Sequence, residues 1–250
     1  MKPLKIVQND SLLEPYSDAL QGRYDYALRK EKELVGNNAN LSEFATGYLF
    51  FGLHKVKRNW FFREWAPNAT AIYIIGDFND WKKSEDYRLQ PLENGVWEGR
   101  FGEKSMAHGD LYKLLIEWNG GYGERIPAWA RRVVQDEHTK IFSAQVWSPE
   151  EEYKFKIKKF KPSTSPLLIY ECHIGMATEE EKVGTYDEFR RNVLPRVIEA
   201  GYNCLQIMAI QEHPYYGSFG YHVSSFFAAS SRFGTPEELK QLIDEAHQNG

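Results

Sequence analysis

The segment HPYYGSFGYHVSSFF, residues 213–227, concentrates side chains suited to catalysis or ligand contact. Within it, Gly217-Ser218-Phe219-Gly220 sets its serine one position too early for the G-x-S-x-G elbow, which argues against a serine hydrolase. His213 and His222 are separated by eight residues with no carboxylate or cysteine spacing of the kind a metal site needs. Both are expected to be ordinary loop histidines, and no metal is predicted. Elsewhere, Gly121-Tyr122-Gly123-Glu124 lacks the third glycine of a dinucleotide fingerprint and reads as a turn, so no cofactor is predicted. Cys172 and Cys204 are too few to hold zinc alone, and each sits in an apolar stretch, as reduced core thiols do. What remains is the rings. Exposing Tyr215, Tyr216, Phe219 and Tyr221 together would be costly, so Tyr215, Phe219, Phe226 and Phe227 are expected to pack down. One or two rings are left to face a cleft.

The elements that must position these residues follow from periodicity. Residues 10–35 place Leu12, Leu13, Tyr16, Leu20, Tyr24, Ala27, Leu28 and Leu34 at helical spacing, with Asp10 and Ser11 as caps and Gly36 to Asn40 as the stop. Between residues 60 and 147 the pattern changes to short strands at 60–65, 71–76, 96–101, 112–118 and 132–135, separated by turn residues, which suggests a small β-sandwich. The Lys-rich stretch 150–162 and the following Pro162-Ser163-Thr164-Ser165-Pro166 read as a connector. Beyond it come a buried strand (167–173), a helix (186–200), a strand (203–210), a long loop and a second helix (235–249). Strand, helix, strand, helix is the signature of a parallel α/β fold. Two such units leave an open sheet edge, so this region reads as incomplete. The aromatic loop follows the second strand and would sit at the strands' C-terminal ends, where barrel enzymes keep their sites.

Composition narrows the function classes. A net charge of −4 argues against general affinity for nucleic acid or anionic membrane. No apolar run approaches a membrane span and the N-terminus lacks a secretory signal, so a cytoplasmic protein is expected. Aromatic residues make up 15% of the chain; they fill cores, but Trp and Tyr also suit wet, specific surfaces.

Taken in order, Leu168-Ile169-Tyr170-Glu171-Cys172-His173-Ile174-Gly175, the run from Gly201 to Ile210, the loop from Tyr215 to Tyr221, and the stretch from Phe226 to Lys240 resemble the start of the catalytic barrel of 1,4-alpha-glucan branching enzymes, of the alpha-amylase family. Upstream, Glu64-Trp65-Ala66-Pro67-Asn68-Ala69 and Gly76-Asp77-Phe78-Asn79-Asp80-Trp81 resemble the glycogen-binding carbohydrate module that precedes that barrel. The resemblance runs from about Ser11 to Gly250.

That resemblance implies a multidomain chain: an N-terminal helical segment (1–45), a β-sandwich carbohydrate-binding module (46–150), a linker (151–166), and the first two βα units of a (β/α)8 TIM barrel (167–250). It implies a retaining transfer of α-1,4-glucan chains to a glucose 6-hydroxyl, with acids on barrel strands four, five and seven. None of those strands is in this sequence, so the chain alone is expected to bind glucan (glycogen, amylose, maltooligosaccharides) without catalysing. Glu171, at the end of strand one, is expected to have an orienting or structural role rather than a catalytic one. By resemblance, Tyr221 is the platform under the sugar at the cleavage site, Trp81 stacks on glucose rings, and Lys113 bonds sugar hydroxyls. Trp65 and Pro67 form a neighbouring apolar contact, Asn38 lies where the helical segment meets that site, and Gly95 is a weaker candidate. The alternatives are a non-catalytic glycan-binding scaffold and a debranching or amylase-type relative.

Overall fold

A computed structural model describes residues 4–37 and 40–250. Two compact units are present, Met1–Phe50 and Phe51–Gly250. In the first, a short helix α1 (Lys5–Asn9) and a 3-10 turn (Ser11–Tyr16) lead into the long helix α2 (Ser17–Val35), with α3 (Leu41–Phe44) and α4 (Gly47–Phe50) after it. Asp10 accepts a hydrogen bond from the backbone N–H of Leu12 and caps the 3-10 turn. No residue of α2 is buried. Asn38, a sequence-predicted contact residue, lies outside the described residues.

The second unit opens with a sandwich. One sheet runs in the order β1 (Gly52–Val56), β2 (Asn59–Trp65), β5 (Val96–Gly102), β4 (Gln90–Pro91). The other runs β3 (Ala69–Gly76), β6 (Leu111–Trp118), β9 (Phe142–Gln145), β8 (Val133–Gln135), with β7 (Gly121–Arg125) also paired to β6. All these pairings are antiparallel. The inward face of β2 carries Trp60 and Phe62, that of β5 Trp97 and Phe101, and these meet Ile72 and Ile74 of β3 and Leu114 and Ile116 of β6 in one core. Strand β3 is buried on both faces, since Tyr73 and Ile75 are covered as well. Residues 77–92 close over its outer side: the Tyr73 hydroxyl donates to Glu85, and Lys83 sits 4.5 Å from the Tyr73 ring centroid. The Gly121-Tyr122-Gly123-Glu124 stretch is therefore strand, not turn; the turn lies just before it, at Asn119 and Gly120.

After the sandwich, residues 153–160 are strapped onto a helix. Asp244 of α7 (Pro236–Gln248) is fully buried and accepts from the Tyr153 hydroxyl (2.7 Å) and from the N–H groups of Lys156 (2.9 Å) and Ile157 (3.0 Å). Burial would raise this carboxyl, but the two backbone donors and the Tyr153 hydroxyl together hold it below the usual Asp value. Trp147 donates to Glu237 at 2.5 Å, and Phe160 stacks on His247 at 4.1 Å.

Strands β10 (Ile169–Cys172) and β11 (Cys204–Ile207) pair in parallel, with a helical crossover between them. That helix begins at α5 (Tyr186–Glu188), widens into a π turn (Phe189–Val193) and resumes as α6 (Leu194–Glu199). Pro195, two residues after the π turn, has no N–H to give to that turn, which accounts for the widening. Thr185 caps its start in a capping box with Glu188, and Thr235 does the same for α7 with Glu238. Cys172, Tyr186, Phe189, Leu194, Phe233 and Leu242 form the core here. Burial pushes the Cys172 thiol up to about 12, so it stays protonated and unreactive.

The long loop after β11 contains a hairpin that periodicity does not reveal, β12 (Gln211–Glu212) with β13 (Ser225–Ala229). Glu212 is fully buried and holds the hairpin base, accepting from Ser230, from both the N–H and the hydroxyl of Ser231, and from Arg232. His213 lies in the loop, as expected, but is fully buried, with Nδ1 2.9 Å from the Gln211 carbonyl. The packing expected of the rings is overturned: Tyr215 (67% exposed), Phe219 (42%), Phe226 (71%) and Phe227 (44%) all keep open faces. Along β13 only Ser225 and Ala228, three positions apart, are buried, so the strand does not alternate, and its register with β12 shifts between Gln211 and Glu212. Phe227 does stack on Trp129 of the sandwich, at 4.0 Å.

Candidate glucan-binding site

Trp81 is set by a chain of local constraints. After β3 the backbone turns through Asp80 (φ 53°) and Trp81 (φ 58°), both left-handed. The side chain of Asn79 stabilises this turn by accepting from the Gly76 N–H (2.9 Å) and donating to the Ile74 carbonyl (3.0 Å). The Trp81 N–H donates to the Gly76 carbonyl. Its indole N–H donates to Asp77 Oδ1 at 2.9 Å, while Asp77 Oδ2 accepts from the Leu111 N–H at 2.7 Å. One carboxylate thus ties the indole to the first residue of β6. The ring remains 37% exposed.

Lys113 projects from the same end of β6, with Nζ 5.9 Å from the Trp81 ring centroid and 3.2 Å from Glu124 Oε2. On β6 the inward residues are Tyr112, Leu114 and Ile116, which leaves Lys113, Leu115 and Glu117 on the outer face. Register sets Glu124 opposite Leu115 and Tyr122 opposite Glu117, so both belong to that outer face too. The result is an open surface with an aromatic platform, an ammonium, carboxylates and a second exposed ring. The flat C–H face of a sugar suits the platform, and its equatorial hydroxyls suit the charged rim. Tyr122 was missed by sequence reasoning; its signal was an aromatic residue directly after a Gly-Gly turn.

Trp65, Pro67 and Gly95 form a second, separate patch. Trp65 closes β2 and precedes β3, whereas Trp81 follows β3, so a strand of eight residues, about 25 Å, lies between them. The Trp65 side chain is exposed (56%), its indole N–H donating to the Asn94 carbonyl at 3.0 Å. The Ala66 N–H donates to the Gly95 carbonyl at 2.9 Å. Gly95 has φ +76°, and a Cβ there would lie 2.7 Å from Pro67 Cα and Cβ. Its role is to let the turn lie flat on Pro67. Gly95→Ala is expected to cost about 2 kcal/mol in urea unfolding and to displace Trp65, read as a change in near-UV circular dichroism.

Tyr221 occupies a third place. A 3-10 turn (Tyr216–Ser218) runs into left-handed Phe219 and Gly220, and the Tyr221 N–H donates to the Ser218 carbonyl at 3.0 Å. His173, at the end of β10, holds this turn through Nε2, 3.2 Å from the Phe219 carbonyl. Burial lowers the His173 pKa, against the raising effect of that carbonyl, and favours the neutral ring. The Tyr221 ring is 66% exposed. Among the described residues no group of His, Cys, Asp and Glu could hold a metal ion, and no helix is long and apolar enough to cross a membrane.

Residues 50–130 match the family model of carbohydrate-binding module 48 (isoamylase N-terminal domain). The chain is 42% identical over 98% of its length to a protein of Dictyostelium discoideum named 1,4-alpha-glucan-branching enzyme, of which it covers 37%. It is 42% identical over 98% to 1,4-alpha-glucan-branching enzyme 2-2, chloroplastic/amyloplastic, of Arabidopsis thaliana, covering 31% of it, and 40% identical over 98% to the horse (Equus caballus) 1,4-alpha-glucan-branching enzyme, covering 36%. Among solved structures, the pullulanase of Bacillus acidopullulyticus superimposes with a TM-score of 0.65 over 80% of this chain and 28% of that one, at 17% identity. The catalytic module of the pneumococcal glycogen-degrading protein SpuA, solved with an inhibitor, gives 0.64 over 89% and 38%, also at 17% identity. These likenesses show a shared fold. By sequence the chain is thus similar to proteins named 1,4-alpha-glucan-branching enzyme, at about 42% identity, and spans about 37% of their length, with residues 50–130 similar to carbohydrate-binding module 48.

Proposed function

We propose that this chain is the glucan-holding portion of a 1,4-alpha-glucan-branching enzyme, which cleaves an α-1,4-glucan and passes the chain to a glucose 6-hydroxyl by a retaining mechanism. In this reading residues 1–45 are a helical segment, 46–150 the carbohydrate-binding module, 151–166 a linker, and 167–250 the first two βα units of a (β/α)8 barrel. The reaction's carboxylates belong to later barrel strands, and Tyr221 is the platform that this portion brings to them. Glycogen, amylose and maltooligosaccharides are the ligands, held at Trp81 and Lys113, with Trp65 and Pro67 as a further apolar contact. The observation that carries the reading is the exposed Trp81 ring, locked by Asp77 and facing the Lys113 ammonium.

A cytoplasmic location belongs to the same proposal, tested by cell fractionation, since an Arabidopsis relative is named as plastidic. Maltoheptaose is expected to change the chain's tryptophan fluorescence saturably, and the β-linked cellohexaose is expected to leave it unchanged. An equal response to both sugars, or to neither, would remove the α-glucan assignment.

A further inference from the structure

A cavity of about 600 Å³ lies where the sandwich, the strap after it and the start of α7 meet. That volume is within the range of small-molecule sites, about 300–1,000 Å³. Its wall is unusually cationic for a chain of net charge −4: Lys55, Lys57, Arg131, Arg132 and Lys240 face two carboxylates, Glu152 and Glu237. Glu237 is already engaged, accepting from Trp147 and from Lys240, and Lys55 approaches Glu103 at 3.7 Å.

The other three cations are in no ion pair. Arg131 donates to the Leu53 carbonyl (2.9 Å), and Arg132 to the Gln145 side-chain oxygen (3.0 Å) and the Gly234 carbonyl (3.1 Å). These acceptors are neutral; the charges of Glu212, Glu237 and Glu238 act on Arg132, whereas Arg131 and Lys57 have no carboxylate within ion-pair distance among the described residues. Burial lowers the pKa of His54 on the same wall, and the charges of Arg131 and Arg63 lower it further, against the raising hydrogen bond to the Phe51 carbonyl. The local field is positive. The cavity also has aromatic surface: Trp60 and Trp147 line it, with Arg132 4.5 Å from the Trp147 ring centroid.

We propose that this cavity binds the phosphomonoester of a phosphorylated hexose, with the dianion among Lys57, Arg131 and Arg132 and the sugar ring against the aromatic wall. Guanidinium and ammonium groups together suit a tetrahedral dianion. The anion follows from the excess of cations over carboxylates on the cavity wall; the hexose rests on the glucan reading above. The ester has two sources, a free sugar phosphate or a phosphate carried on a glucan chain.

The test is calorimetric titration of the full 250-residue chain with glucose 6-phosphate, inorganic phosphate and glucose. Glucose 6-phosphate is expected to bind, more tightly than inorganic phosphate, and glucose is not. Lys57→Glu, at an exposed turn, is expected to weaken binding about tenfold or more, a loss of one decade in Kd. Trp81→Ala is expected to bind glucose 6-phosphate as wild type does, which separates this site from the glucan surface. In that background, phosphorylated dextrin outbinding both glucose 6-phosphate and dephosphorylated dextrin identifies the chain-borne ester; glucose 6-phosphate outbinding phosphorylated dextrin identifies the free sugar phosphate. No binding of glucose 6-phosphate by the folded chain, equal binding of glucose, or unchanged affinity in Lys57→Glu would overturn the proposal.

Discussion

Gly76→Ala is expected to unfold about 2–3 kcal/mol more readily than wild type and to lose glycogen binding with it. Gly76 lies at the end of β3, where its backbone is extended and accessible to any residue. The constraint is therefore steric. A Cβ there would lie 2.3 Å from the Leu111 carbonyl oxygen and 2.9 Å from both Phe78 and Tyr112. The oxygen is backbone and cannot rotate away, so β3 and β6 must separate at that end. The same end carries the Asp77 bond to the Leu111 N–H and the Trp81 bond to the Gly76 carbonyl. Stability and sugar binding should fall together, measured as a urea midpoint and as retention on glycogen. A variant as stable as wild type would show that the two strands are not held as closely as described.

Glu64→Ala is expected to cost about 3 kcal/mol, because it orphans two N–H donors inside the sandwich. Glu64 is 1% exposed, and its two oxygens accept from Trp65 (3.1 Å) and Ala128 (3.0 Å). Burial raises its pKa above the usual Glu value, with the two N–H donors and Arg125 opposing. The sign of the pH effect follows. The folded state holds this proton more tightly than the unfolded state, so the contribution to stability is fully present below the unfolded value of 4.5 and is lost as pH rises through the raised one. His54 and His173, both lowered, act in the opposite sense, costing stability as pH falls below 6.5. The difference between wild type and Glu64→Ala isolates the carboxylate. Unfolding curves should show the variant lacking the gain that wild type makes on acidification toward 4.5.

The elements that periodicity reveals are those whose own residues carry the burial pattern. β2 alternates Trp60, Phe62 and Glu64 inward, and β3 is a continuous apolar run, so both are readable from the sequence. β7, with Gly121 and Gly123 among its five residues, has no apolar stripe and exists because β6 offers it an edge. The hairpin of β12 and β13 is fixed by the Glu212 side chain, which reaches 18–20 residues along the chain, beyond any local window.

The site divides in the same way. Trp81 is prepared locally by Asp77 and Asn79, but its meeting with Lys113, on another strand, follows from the β3–β6 register and is invisible to spacing. Likewise, whether Tyr215 or Phe226 is covered depends on partners far along the chain.

The most direct test of the glucan surface is native electrophoresis of the wild-type chain and Trp81→Ala with and without glycogen in the gel, each folded by its urea midpoint. Glycogen should retard wild type and leave Trp81→Ala at its sugar-free mobility. Equal retardation of both, or of neither, would mean that α-glucan is not held at Trp81.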